Sequence, residues 1–187
     1  MNKLLIKVYL LIAATFILLN SVAFAAPGPA SAYKVRLSKF ELFNGTSWIT
    51  AFEGTSATLD IASVSIGSAA GDFMSGLSVP DGTYTQIRVT PSPTFTISGR
   101  DTLNNYTTAA LGVGGGCTPT LIAGQQAECT ITLTGGNIPG PDTIDISDAP
   151  IIIKDGVANK QQRVRFDVST TIQLIVGELW PAAPNVE

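Results

Sequence analysis

The chain has 187 residues, a net charge of -3 and a charged fraction of only 13%, and it contains no histidine. The lack of histidine excludes Ser-His-Asp and Cys-His catalysis and the usual zinc sites, and the acidic balance argues against nucleic acid, which binds clusters of Lys and Arg. The length is that of one domain, and a domain of this size buries enough apolar surface to fold without a metal.

The N-terminal segment has the pattern of a secretory signal peptide. A basic start precedes an apolar run over residues 8–19, and residues 23–25 (Ala-Phe-Ala) match a small-x-small cleavage site. The run is shorter than the about 20 apolar residues that span a bilayer. We therefore predict a cleaved signal peptide over residues 1–25 and a mature domain over residues 26–187. The mature domain is expected to be secreted or periplasmic, without stable membrane insertion. A retained N-terminal anchor is the alternative.

The first predicted elements of the mature domain form a hairpin. Apolar and polar residues alternate from Tyr33 onwards and then exchange parity, which indicates a β-bulge or a bend. Asn44-Gly45 is a strong hairpin signal, because both residue types tolerate the positive φ of a tight turn. Residues 32–53 are therefore predicted to form a hairpin, and a third strand is predicted over residues 57–61.

Pro80 and Gly82 mark the best-specified turn of the chain, with Asp81 between them. Proline fixes φ at a value that suits a turn, and glycine can adopt φ > 0 without strain. After this turn, residues 83–90 alternate with a period of two and are rich in residues that favour β-structure. We predict a strand with one buried and one wetter face.

Tyr84 lies in this strand with a parity opposite to that of Ile87 and Val89. We predict that Ile87 and Val89 point into the core and that Tyr84 lies on the opposite face. There the Tyr84 hydroxyl is expected to hold the turn by a hydrogen bond, as tyrosine corners do in other β-sandwiches. Pro80, Gly82 and Tyr84 are therefore predicted to be structural residues of the turn.

The rest of the chain consists of further short apolar segments separated by Gly and Pro. The predicted elements are a strand over residues 94–98, a loop over 101–116, a hairpin over 118–133, short strands over 144–146 and 151–153, a long strand or two collinear ones over 163–176, and a loose tail from residue 180. After the signal peptide, no segment has a sustained 3.6-residue apolar stripe. The fold class is therefore predicted to be all-β, as a single antiparallel β-sandwich of transthyretin-like or immunoglobulin-like type.

Cys117 and Cys129 are the two cysteines of the chain. In an exported protein two thiols usually pair, and closing so short a loop would stabilise the fold by about 3 kcal/mol. A zinc or redox site would need more ligands or a Cys-x-x-Cys spacing. We predict a structural disulfide.

Three aspartates, Asp142, Asp145 and Asp148, form the one acidic run with a regular spacing. In a loop they could converge on Ca²⁺, which takes six to eight oxygen ligands. The run lacks the glycine spacing of an EF-hand, and aspartates in turns and at strand edges are the plainer interpretation. They are weak metal candidates, and no motif predicts a cofactor.

The glycine run at residues 114–116 and the two tryptophans are further candidate binding features. The run lacks the Lys-Ser/Thr ending of a phosphate-binding loop and is predicted to be a flexible turn. Trp48 lies near the predicted hairpin turn and Trp180 in the predicted tail. Either indole could stack on a sugar, but packing on the core explains each equally well.

Four segments occur in a familiar order. They are residues 35–48, residues 59–61 (Leu-Asp-Ile), residues 77–89 with the Gly-x-Tyr-Thr-Gln-Ile-Arg strand, and residues 164–168 (Val-Arg-Phe-Asp-Val). This order resembles a family of exported bacterial and archaeal domains of unknown function that are described as transthyretin-like or prealbumin-like β-sandwiches. The resemblance implies fold and export and carries over no chemistry. Many family members are lipoproteins, whereas this chain lacks the lipidated cysteine, and its segment 112–129 departs from the pattern.

Together these features predict a secreted, non-enzymatic β-sandwich with a structural or adhesive role at the cell surface or in extracellular material. One alternative is a carbohydrate- or calcium-binding module. Another is an extracellular filament subunit in which an extended terminal segment adds a strand to its neighbour. The sequence identifies no partner; self-association and a surface glycan are the partner classes that these alternatives imply.

Overall fold

The computed structural model describes residues 25–64, 78–135, 140–159 and 166–186. The predicted signal peptide lies outside the described residues except for Ala25. Within these ranges the chain forms β-strands, one short 3₁₀ turn at Ala123–Gln125 and no α-helix. An all-β fold with antiparallel sheets is therefore confirmed.

The described strands are short, as expected for a chain so often interrupted by Gly and Pro. In chain order they are β1 (Ala30–Val35), β2 (Leu37–Phe43), β3 (Trp48–Glu53), β4 (Leu59–Asp60), β5 (Gly82–Tyr84), β6 (Gln86–Pro91), β7 (Thr94–Gly99), β8 (Tyr106–Leu111), β9 (Cys117–Thr120), β10 (Cys129–Thr132), β11 (Asp142–Asp145), β12 (Ile151–Lys154), β13 (Val157–Ala158), β14 (Phe166–Asp167), β15 (Ile172–Ile175), β16 (Glu178–Pro181) and β17 (Asn185–Val186).

The strands build two sandwiched pairs of sheets, each pair around its own apolar cluster. The sheet β10-β7-β1-β4 packs on the sheet β15-β16-β9-β8, and their shared cluster includes Tyr33, Ile97, Ile131 and Leu179. The sheet β11-β6-β2-β3 packs on β13-β12-β5 around a second cluster. The small remaining sheet pairs β14 with β17.

Two long chain segments contribute to both clusters. Strands β1 and β2 are separated only by Arg36, and strands β6 and β7 only by Ser92 and Pro93. The backbone of Ser92 donates to the carbonyl oxygen of Arg36 at 2.7 Å, so the two breaks lie side by side. The pairing register of β2 with β6 shifts between Leu37 and Lys39, which confirms the bulge predicted from the change of parity.

The hairpin predicted over residues 32–53 is confirmed for β2 and β3, whereas its first residues belong to β1, which pairs with β4 and β7 in another sheet. Its loop is closed by Asn44, whose side-chain oxygen Oδ1 accepts hydrogen bonds from the backbone of Thr46 at 2.9 Å and Ser47 at 2.8 Å. Gly45 has φ +89°, the left-handed conformation that its residue type allows.

Two predicted elements are wrong in the middle of the chain. The segment predicted as a loop contains the strand β8, whose residues after Thr107 are half-buried or exposed, so it lacks an apolar alternation. The predicted hairpin over 118–133 does not exist, because β9 pairs with β8 and β16, whereas β10 pairs with β7 in the other sheet.

The C-terminal prediction also needs correction. The alternating pattern over residues 163–176 is divided between β14 and β15, with a turn at residues 169–170. Val176 and Gly177 have φ of 50° and 81°, and this tight turn returns the chain as β16. Trp180 therefore lies in a central strand of a sheet, where a loose tail was predicted.

Candidate functional site

An apolar groove with a volume of about 500 Å³ lies beside the β15–β16 hairpin. It is lined by Val113, Gly114, Leu133, Gln173, Ile175, Val176, Glu178, Trp180 and Pro181. Val113 and Val176 form two fully exposed apolar rims, and Ile175 is 44% exposed. Apolar side chains are usually withdrawn from water, so their concentration around one concavity marks this surface as the candidate binding site.

Trp180 forms the aromatic wall of the groove. It pairs with Gln173 on the neighbouring strand, so the two side chains share one face of the sheet. The indole ring lies against the backbone of Gly116, where a β-carbon would come within 2.6 Å of the ring nitrogen Nε1. A glycine is therefore required at position 116 for the ring to lie flat on the loop.

Glu178 anchors the glycine-rich loop over residues 112–116. Its carboxylate is largely buried and accepts hydrogen bonds from the backbone of Gly114 at 2.7 Å and of Gly116 at 2.8 Å. Backbone N–H groups in such a concave turn form an anion-binding nest. The loop predicted as a flexible turn thus binds an anion, and that anion is a side chain of the same chain.

Few polar groups line the groove. Glu178 is the one charged residue among those that line it, and both carboxylate oxygens already accept backbone hydrogen bonds. The other polar lining side chain is the neutral amide of Gln173. Such a surface favours a largely apolar ligand, with one amide available for a directional hydrogen bond.

The three aspartates of the acidic run do not form a common site. Asp142 and Asp145 lie at the two ends of the edge strand β11, and Asp148 lies in the following turn. The Asp145 carboxylate accepts from the backbone of Ser147 at 2.8 Å, which lowers the pKa of Asp145. In the ranges that the structure describes, no three acidic or sulfur-bearing side chains are grouped as metal ligands. The run acts as turn and edge aspartates.

The Pro80 turn contains the predicted hydrogen bond of Tyr84, but the orientation of Tyr84 and the conformation of Gly82 differ from the prediction. The Tyr84 hydroxyl donates to the carbonyl oxygen of Pro80 at 2.7 Å, as expected. Tyr84 is nevertheless buried in the same apolar cluster as Ile87, because the strand is interrupted at Thr85 and β5 and β6 belong to facing sheets. Gly82 is extended and pairs with Ile153, so the predicted positive φ at Gly82 is wrong.

Asp81 explains why this turn is ordered. Its carboxylate accepts hydrogen bonds from the backbone of Asp155 at 2.8 Å and of Gly156 at 3.0 Å. These donors, that of Gly156 first, lower the pKa of Asp81. The carboxylate thus fastens the Pro80 turn to the β12–β13 hairpin, which lies in the same sheet as β5.

The disulfide between Cys117 and Cys129 joins the two sheets of the first sandwich. The cysteines lie in β9 and β10, their α-carbons are 6.0 Å apart, and both side chains are buried. The predicted pairing is confirmed, although it connects facing sheets rather than neighbouring strands. Because β9 also pairs with β16 at Leu179, the disulfide braces the strand that carries Trp180.

Trp48, the other candidate for sugar stacking, is occupied. The guanidinium of Arg88 lies 4.2 Å from the centre of the Trp48 ring, and Phe43 packs beside it at 5.1 Å between ring centres. Arg88 in turn forms two hydrogen bonds with Glu41, of 2.7 and 2.8 Å. This cluster covers Trp48 on the β11-β6-β2-β3 sheet, whereas Trp180 lines the groove.

Sequence reasoning missed the groove because it placed Trp180 outside the sheet. The sequence did contain one signal, a pair of apolar segments on either side of Val176-Gly177. This pattern indicates a hairpin only if valine is allowed at a position with positive φ. The contact between Glu178 and the glycine run had no signal, because residues 62 or 64 positions apart in sequence meet only in the folded chain.

No family model, curated protein or solved structure matches the chain. Across the described residues there is also no helix with the length and apolar character needed to cross a membrane. The inter-sheet disulfide is compatible with an oxidising compartment, in which such bonds form and persist. The function is therefore argued from the geometry of the groove.

Proposed function

We propose that this is a secreted, non-enzymatic β-sandwich protein with an adhesive role at the cell surface or in extracellular material. The groove at Trp180 is its contact with the partner, and apolar side chains of an extracellular protein are the ligand. The observation that carries this proposal is the groove itself, in which exposed valines surround a partly exposed indole. Aromatic and aliphatic anchors in a pocket are the usual source of affinity between proteins.

The charges around the groove support an apolar protein ligand. The Glu178 carboxylate is largely buried, and each of its oxygens accepts a backbone hydrogen bond. The other lining side chains are aliphatic or aromatic, except for Gln173. A partner that inserts an aliphatic or aromatic side chain would gain burial energy there without leaving a charge unpaired.

The secreted location rests on two features. The pattern over residues 1–25 is that of a signal peptide, and the Cys117–Cys129 disulfide suits an oxidising compartment. The family of exported transthyretin-like domains fits the same location, and the antiparallel sandwich agrees with its fold. We place the chain in that family as part of this proposal. The family has no known activity that would identify a ligand for the groove.

The side chains available to the chain support a non-enzymatic role. The chain has no histidine, and both cysteines are held in a disulfide. The groove contains one carboxylate, so it has no second carboxylate for a paired acid-base mechanism of the kind that glycosidases use.

A carbohydrate-binding module is the second candidate, and one observation favours it. Trp180 and Gln173 lie side by side on one face of the sheet, and an indole face beside an amide can stack on a sugar ring and bind one of its hydroxyls. The valine rims and Leu133 offer no further polar partners, so this candidate ranks below the protein ligand.

The proposal is tested by adhesion of the purified secreted protein to extracellular material from its producing cells. Trp180→Ala should weaken binding by about tenfold or more, which corresponds to ~1.4 kcal/mol of binding free energy. Trp48→Ala is the matched control, because it removes the other indole far from the groove, and it should bind as the unaltered protein does. Equal binding by all three proteins would overturn the proposal. The carbohydrate module would be established instead if Trp180→Ala loses binding and if free glycans, but not extracted protein, compete with the binding of the unaltered protein.

A further inference from the structure

The loop between β2 and β3 brings together the groups needed for a spontaneous modification of its first residue. Asn44 is followed by Gly45, and both are exposed at the tip of the hairpin. Glycine has no side chain to obstruct its own backbone nitrogen, and no atom lies within 4 Å of the place where a β-carbon of Gly45 would be. Apart from its two chain neighbours, no group therefore crowds Gly45 on this side.

The side-chain carbonyl of Asn44 is polarised by two donors. Its oxygen Oδ1 accepts hydrogen bonds from the backbone N–H groups of Thr46 at 2.9 Å and Ser47 at 2.8 Å. Two backbone donors on one carbonyl oxygen are the arrangement that stabilises the oxyanion of a tetrahedral intermediate in acyl transfer. In this hairpin the two donors bind the side-chain carbonyl oxygen of Asn44, where an oxyanion would form if the amide were attacked.

We propose that Asn44 is a site of intramolecular deamidation in the folded protein. The backbone nitrogen of Gly45 attacks the side-chain carbon Cγ of Asn44, and the N–H groups of Thr46 and Ser47 hold the negative charge that develops on Oδ1. The C–N bond to the side-chain amide breaks, and the nitrogen leaves as ammonia after taking up the proton lost by the Gly45 nitrogen. Water then opens the five-membered imide at either carbonyl and yields aspartate or isoaspartate.

The other asparagines within the described residues lack this combination. Asn104 is followed by Asn105, and its Oδ1 accepts from the side chain of Arg100, while Asn185 is followed by the β-branched Val186. Asn105 is half-buried, is followed by the bulky Tyr106, and donates from its side-chain nitrogen to Asp101 at 2.6 Å. Asn159 is followed by a lysine, whose side chain hinders the approach of the backbone nitrogen, and its Oδ1 accepts from a single donor, the backbone of Ile152. The modification is therefore expected to be selective for Asn44.

The products change the hairpin in two ways. Either product places a negative charge beside Phe43 and near Trp48, which pair across the hairpin. Isoaspartate also inserts an additional carbon into the backbone at the turn, so the β2–β3 register beyond Phe43 is strained. A secreted protein that persists in extracellular material would accumulate this change with age.

The experiment is to incubate the purified folded protein at mildly alkaline pH in water enriched in heavy oxygen, followed by digestion and mass spectrometry. The expected result is time-dependent incorporation of one solvent oxygen at residue 44, a mixture of aspartate and isoaspartate, and release of ammonia in equal amount. Asn105 should remain unmodified over the same period. Modification of Asn44 only after unfolding in urea would overturn the proposal, as would an unchanged Asn44 under both conditions.

Two variants test the chemistry. Gly45→Ala should abolish most of the reaction, because a β-carbon hinders attack by the nitrogen. Ser47→Pro removes one of the two N–H donors and should slow the reaction in the folded state without slowing it in the urea-unfolded state. Equal rates for Ser47→Pro and the unaltered protein when both are folded would overturn the role of the paired donors. Circular dichroism spectra establish that each variant retains its strands before its rate is compared.

Discussion

The hydroxyl of Tyr84 donates a hydrogen bond to the carbonyl oxygen of Pro80 at 2.7 Å, four residues upstream, from within the second apolar cluster. Burial raises the pKa of Tyr84, with a further contribution from the negative charge of Asp81, so the hydroxyl stays protonated and able to donate at neutral pH. One buried side chain thus fixes both the turn and the packing of the strand that follows it.

Tyr84→Phe is expected to lower the free energy of unfolding by about 1 kcal/mol, because the ring stays in place while the carbonyl of Pro80 loses its donor. Urea denaturation measures this difference directly. Tyr106→Phe is the matched control, since the Tyr106 ring is only half-buried. An unchanged midpoint for Tyr84→Phe would mean that the hydrogen bond contributes no net stability.

Gly116→Ala is expected to destabilise the protein by about 1–3 kcal/mol, the usual cost of overpacking. A β-carbon at this position would lie 2.6 Å from the indole nitrogen of Trp180 and 2.9 Å from the β-carbon of Glu178. Gly124→Ala is the control, because no atom lies within 4 Å of its β-carbon position. Thermal unfolding followed by tryptophan fluorescence reports on both stability and the position of the indole. Equal melting temperatures for the two variants would contradict the close contact between the loop and Trp180.

Val176→Asn is expected to make the protein more stable and the groove a weaker binder. A β-branched residue at φ 50° is strained, and asparagine tolerates that conformation, so relief of strain should raise the free energy of unfolding by about 1 kcal/mol. The substitution also removes an apolar rim of the groove. Val113→Asn removes the opposite rim without any relief of strain, so it should weaken binding alone. A lower stability of Val176→Asn than of the unaltered protein would contradict the claim that the backbone of Val176 is strained.

Stability at acid pH should depend on Glu41. Its hydrogen bonds with Arg88 lower the pKa of Glu41, with partial opposition from burial and additional help from Lys39. Because the pKa is lower in the folded protein, this stabilisation is complete above the ordinary glutamate pKa of about 4.3 and is lost as the pH falls through the lowered folded value.

Glu41→Gln should therefore reduce the slope of unfolding free energy against pH in the acid range, as measured by urea denaturation at a series of pH values. Part of the acid sensitivity should remain, because Asp81 and Asp145 also have lowered pKa values. Glu128→Gln removes a solvent-exposed partner of Lys34 and should alter the slope less, since exposed ion pairs are screened. The same acid slope in Glu41→Gln and in the unaltered protein would show that the pair is not coupled to folding.

The sequence was informative where one residue type dictates one conformation. Asn44-Gly45 predicted its hairpin, because the positive φ of the turn is a property of those residues. The cysteine pair predicted its disulfide from composition alone. The tyrosine hydrogen bond was also predicted, because it spans only four residues.

The sequence misled where parity or conformation is set by the rest of the fold. Thr85 lies between β5 and β6, and its backbone N–H donates to the carbonyl oxygen of Phe43. Because the strand is interrupted there, Tyr84 points into the core. Val176 adopts a positive φ that its own preferences oppose. The groove depends on both kinds of feature, since Val176 and Trp180 line it together with a loop from far away in the chain. It was therefore not predictable from local patterns.

The central claim, that a partner covers Trp180, is tested most directly by acrylamide quenching of the Trp48→Phe variant, in which Trp180 is the one remaining tryptophan. The quenching constant of the free protein should fall when extracellular material from the producing cells is added and bound. Unchanged quenching in protein that has demonstrably bound to the material would contradict the claim, because the partner would then contact a different surface.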